Sequence, residues 1–190
     1  MCVWLDHLGI NDEIEPSEDA VIRAPIGATN RQTVINAAWR SEAMAVLAWA
    51  LPRADLPRYD ERDGGYETAA KLGFLVKREQ TVLACPLLRP LPEILQGAKT
   101  YLTVHWRLRE YSVRPDVIDF KRYVSRATWG PLSLADVALV EGDLAIRGER
   151  IDRVPEDWRE LMRSMARERH NAFNWLLGFA PIYSEVETTT

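Results

Sequence analysis

From Asn30 to Leu51 the chain runs without a proline or a glycine, and apolar residues point in almost every direction of a helical projection. Val34, Ile35, Ala38, Met44, Val46, Leu47, Trp49 and Leu51 leave little of the circumference polar. A helix apolar nearly all round belongs at the centre of a fold, where other elements cover each side. Thr29-Asn30-Arg31-Gln32 has the spacing of a capping box with Thr29 as cap, and Pro52 stops the helix. The segment predicts a mainly α, single-domain helical bundle around a buried central helix at about 30–51.

The remaining punctuation supplies the covering helices. Pro92 suits the first turn of a long helix from Glu93 to about Tyr111, and Pro155 and Gly178 bracket another. Shorter helices are expected at Cys2–Leu8, closed by Gly9, and after Pro16, with Ser17 as cap and Pro25 and Gly27 ending it. Two more are expected at Tyr66–Val76 and near Val117–Val124. Pro52 to Gly65 reads as a surface loop. Asp143–Ile146 and Arg150–Asp152, separated by Arg147-Gly148-Glu149, read as a small β-hairpin at about 143–152. The domain is expected to span 1–183, with 184–190 a frayed polar tail.

A formal net charge of -4 argues against a nucleic-acid partner, since such proteins carry a basic excess. Cys2 and Cys85 are too few and too far apart for a disulfide framework or a thiolate metal site, and read as free thiols. No apolar run approaches the roughly 20 residues of a membrane span, and the N-terminus lacks signal-peptide features, so a cytoplasmic protein is expected. There is no phosphate-binding glycine loop, no H-E-x-x-H, no paired C-x-x-C and no G-x-S-x-G. His7, His105 and His170 never share metal-ligand spacing. No metal and no cofactor is expected, and the enzymatic reading is the weaker one.

Three polar residues interrupt apolar helix faces. Arg169 falls among Trp158, Leu161, Met162, Met165, Phe173 and Leu176. His105 falls among Ile94, Ala98, Tyr101, Leu102 and Leu108, and Glu42 among Ile35, Ala38, Val46 and Trp49. A polar group buried alone is costly, so the three are expected to meet in one hydrogen-bonded cluster. Such a cluster either fixes helix register, its commoner use, or binds an anion or performs acid–base work.

Arg159, Arg163 and Arg167 form a stripe on the last helix; Glu156 and Glu160 precede the first two by three residues, suggesting a solvated ion-pair face. An unneutralised stripe could instead meet an acidic partner. Asn171 and Asn174 read as capping or interhelical bonding residues. Trp129, beside Gly130-Pro131, is either an interface anchor or a lid over the core.

Four stretches resemble a widespread bacterial family, domain of unknown function 4272. They are Ala38-Trp39-Arg40-Ser41-Glu42-Ala43 with Leu47–Leu51, Leu88–Leu95, Val104-His105-Trp106-Arg107, and Glu168–Gly178. Against the family pattern the helix before Trp4 looks trimmed and the segment between Tyr111 and Asp143 extended. The resemblance implies a helical fold and supplies no activity, substrate or catalytic residue. The expected function is a non-enzymatic interaction module binding a toxin or a regulatory protein, for example a toxin-neutralising immunity protein. The alternative is a small enzyme or ligand-binding domain built on Glu42, His105 and Arg169.

Overall fold

The computed structural model describes residues 1–77, 80–188 and 190. Among them the chain forms seven α-helices: α1 (Cys2–Leu8), α2 (Pro16–Ile22), α3 (Arg31–Ala50), α4 (Tyr66–Leu72), α5 (Leu91–Val113), α6 (Phe120–Arg126) and α7 (Glu156–Leu176). A three-stranded antiparallel sheet in the order β1 (Leu139–Val140), β2 (Asp143–Ile146), β3 (Glu149–Arg150) completes the mainly α fold. No helix among the described residues is long and apolar enough to cross a membrane.

The core lies where α3, α5 and α7 pack together, with Val46, Tyr101, Val104, Met165 and Phe173 buried between them. Phe173 sits 5.7 Å from the Trp49 ring and 5.4 Å from the Tyr101 ring. Gly97 lets α5 approach that stack, because a Cβ there would stand 2.5 Å from Phe173 Cζ. Arg89 ties the end of α3 to the start of α5: its backbone N–H donates to Ala50 O at 2.8 Å and its Nε to Trp49 O at 2.7 Å. Those carbonyls belong to the last turn of α3 and have no partner within the helix.

Several sequence expectations shift by a residue or more. The cap of α3 is Asn30, whose side chain accepts from the Thr33 N–H at 2.9 Å, rather than Thr29. In α2 the cap is Glu15, paired reciprocally with Glu18, and Ser17 lies inside the helix. The central helix is buried only in its second half; Val34 and Ile35 are exposed. The Pro52–Gly65 loop is not purely superficial, since Tyr59 and Asp60 are buried in it.

The sheet gains a strand the sequence reading lacked. Two tight turns link its strands, Glu141-Gly142 and Arg147-Gly148, and all four residues have positive φ. Two such residues in a row match the right-handed twist of the strands they join, and glycine at the second position lowers the strain. All four residues of β2 are buried, which carries the charged Asp143 into the interior.

Candidate functional site

Glu42 and Arg169 meet without any solvent exposure. Arg169 donates to Glu42 Oε2 from Nε at 2.9 Å and from Nη2 at 2.6 Å. Its other N–H groups reach Arg58 O at 2.8 Å, Tyr101 Oη at 2.9 Å and Glu61 O at 2.6 Å. All five guanidinium donors therefore have acceptors. The second Glu42 oxygen accepts from the Asp63 N–H at 3.2 Å. Burial opposes the Arg169 cation, but the Tyr101 oxygen and the Glu42 carboxylate outweigh it and hold its pKa above the usual arginine value. This pair clamps the 57–63 loop onto α3 and α7. It leaves no free donor for a ligand.

His105 does not join them. Its place beside Arg169 is taken by Tyr101, one turn earlier on α5, whose hydroxyl extends further than an imidazole. His105 instead faces His170, Nδ1 to Nδ1 at 3.1 Å. Both rings are buried, and one Nδ1 must donate while the other accepts, so the two rings carry different tautomers. Burial pushes the His170 imidazole down to about 4. Burial also pushes His105 down, to about 3, reinforced by His170 and by the guanidiniums of Arg167, Arg109 and Arg163.

A second buried ion pair escaped the sequence reading. Arg107 donates to Asp143 from Nε at 2.7 Å and from Nη2 at 2.6 Å. Asp143 also accepts from the N–H groups of Ile118 at 3.0 Å and Leu144 at 2.7 Å. Arg107 Nη1 is buried without a hydrogen-bond partner among the described residues, and the guanidinium lies 5.4 Å from the Tyr111 ring. Little in the sequence marked it: Arg107 projects about 200° away from His105, opposite the apolar face of α5, and Asp143 stood in what read as a surface hairpin.

The surface holds two recesses along the α5–α7 junction. One is an apolar trough of roughly 830 Å³, floored by Leu95, Ala98 and Leu102 and walled by Trp129, Leu177 and Phe179. Trp129 lies partly over the core and partly in solvent. Its ring packs 5.8 Å from Trp106 and its Nε1 donates to Tyr123 Oη at 3.0 Å, yet 47% of the residue stays exposed. The other recess is a polar cleft lined by His105, Arg109, Arg163 and Arg167.

The arginine stripe does not act as a unit. Arg163 pairs with Glu160 at 2.6 Å, whereas Arg159 turns to the Val154 carbonyl and the Tyr111 ring. Arg167, without an ion pair among the described residues, lines the polar cleft. Asn174 bonds the Glu187 carbonyl at 3.3 Å. No three His, Cys, Asp or Glu side chains among the described residues gather as a metal site would require.

The model of the family described as Domain of unknown function (DUF4272) matches residues 2–121. The chain belongs to the DUF4272 family. No curated protein and no solved structure matches it. The DUF4272 match contains Glu42, His105 and Arg107, while their partners Arg169, His170 and Asp143 all lie beyond residue 121. The Glu168–Gly178 stretch, counted in the sequence resemblance, also lies outside the matched residues.

Proposed function

We propose that the chain is a non-enzymatic protein-interaction module that binds its partner in the apolar trough between α5, α7 and the Trp129 loop. The carrying observation is a contrast. Glu42 and Arg169 are sealed and satisfy each other, while Trp129 and Phe179 stand 47% and 70% exposed beside an open apolar recess. Half-exposed aromatic rings around a pocket are the usual anchors of protein interfaces. Lys99 lines the trough and the arginine cleft adjoins it, so a segment with apolar side chains followed by acidic ones fits best. A toxin neutralised by an immunity protein would be one such partner. The two free cysteines suit the reducing conditions of the cytoplasm.

The enzymatic alternative requires a ligand to reach Glu42 and Arg169, which have no exposure. A photo-crosslinker placed at Phe179 should capture one protein in the native host, and the same group at the remote, exposed Tyr66 should not. The captured protein, purified, should bind Trp129→Ser and Phe179→Ser at least about tenfold more weakly than the parent chain. Equal capture at both positions, or undiminished binding to both variants, would refute the trough as the interface.

A further inference from the structure

The polar cleft beside the trough concentrates positive charge in a chain whose formal net charge is -4. His105, Arg109 and Ser112 recur at helical spacing along one face of α5, and Arg163, Ser164 and Arg167 do the same on α7. Together they line a recess of roughly 700 Å³. Of its three guanidiniums, only Arg163 has a side-chain carboxylate partner among the described residues. Arg109 donates instead to the main-chain oxygen of Thr190, and Val186, the acidic Glu187 and Thr188 form the remaining wall. The cleft thus already seats one oxygen acceptor and holds unused donors around it. The field of these cations reaches inward: after burial and His170, it is Arg167, Arg109 and Arg163 that depress His105.

We propose that this cleft binds a phosphate-type oxyanion, with Arg109, Arg163 and Arg167 as its cationic ligands and Ser112 and Ser164 as hydroxyl donors. Guanidiniums on two helices can fork onto separate oxygens of a tetrahedral anion, an arrangement a single carboxylate would not fill. The anion takes the acceptor position held by the Thr190 main-chain oxygen, so its binding displaces Thr190 from Arg109. The cleft shares Glu187 and Thr190 with the trough, but Trp129 lies outside it, and Trp129→Ser should leave anion binding intact.

The probe is pyrophosphate, with inorganic phosphate alongside, titrated into the full chain at ionic strength held constant with chloride. Saturable heat is expected by calorimetry, together with shifts in the backbone amide signals of residues 186–188 and 190. Arg163→Gln combined with Arg167→Gln should weaken pyrophosphate binding at least about tenfold. Arg159→Gln, on the same helix but turned to Tyr111, should leave it unchanged. Arg167→Lys, which keeps the charge and guards against a misfolded double variant, should retain part of the affinity. Absence of saturable binding, or an equal loss in Arg159→Gln, overturns the site. Binding that leaves the amide signals of residues 186–188 and 190 unmoved overturns the displacement.

Discussion

At the scale of single residues, charge burial decides which side chains are structural. Removing either Glu42 or Arg169 would strand the other as an uncompensated buried charge, which costs about 3–5 kcal/mol. The histidine pair behaves differently because it is buried neutral. In the unfolded chain each imidazole titrates near ~6.5, whereas folding lowers His105 to about 3 and His170 to about 4. Between those limits the unfolded state binds more protons, so stability is complete above ~6.5 and falls as the pH drops toward 4 and then 3. The expected slope is about 1.4 kcal/mol per pH unit for each ring. Urea melts across that range should show His170→Gln losing stability less steeply with acid than the parent chain. Identical slopes would mean that the folded protein protonates His170 as readily as the unfolded one does. Glu42 and Arg169 were legible in the sequence because each interrupts an apolar face. The misplacement of His105 has a simple cause: a helical projection gives a side chain's direction but not its height along the axis. Tyr101 shares that direction one turn away and reaches further.

At the scale of elements, proline and glycine punctuation located the long helices well, because a missing N–H or a left-handed residue acts locally. What the pattern could not reveal was how closely two helices approach. Gly97 sits inside α5, where glycine costs helix stability of about 1 kcal/mol relative to alanine. On propensity alone Gly97→Ala should stabilise. The structure reverses that sign: the added methyl would meet Phe173 at 2.5 Å, and Trp49 and Tyr101 hold that ring in place. Overpacking of this kind costs about 1–3 kcal/mol. The expected result is a lower Tm for Gly97→Ala, with Gly97→Ala/Phe173→Leu recovering part of it; a Tm at or above the parent's would show that α5 and α7 slide apart freely. The sheet was half legible for a related reason. Arg147-Gly148 advertised one turn, but β1 and β3 are each only two residues long and carry no alternation to detect; the strand expected at Arg150–Asp152 gives way to a 3-10 turn at Ile151–Arg153.

At the scale of the whole molecule, the three buried polar pairs share a design: each joins a residue within 2–121 to one in the remaining chain. The segment matched by the family is therefore not a self-sufficient core. A fragment ending at Arg126 would keep α1 to α6 but lose α7 and the sheet. Glu42 would lack Arg169, Arg107 would lack Asp143, and the Val46, Tyr101 and Val104 face would lose Met165 and Phe173. Without α7 and the sheet these faces open to water, and the burial that holds α3 and α5 together is lost from a domain of roughly 5–15 kcal/mol total stability. Residues 1–126 expressed alone should thus keep some helical far-ultraviolet signal but show no sharp near-ultraviolet tryptophan bands and no cooperative melt. Adding the separately expressed 127–190 segment should restore both, because the pairs and the Phe173 stack can form between two chains as within one. A 1–126 fragment that melts cooperatively near the temperature of the intact protein would show that α3 and α5 need neither α7 nor the charges it brings.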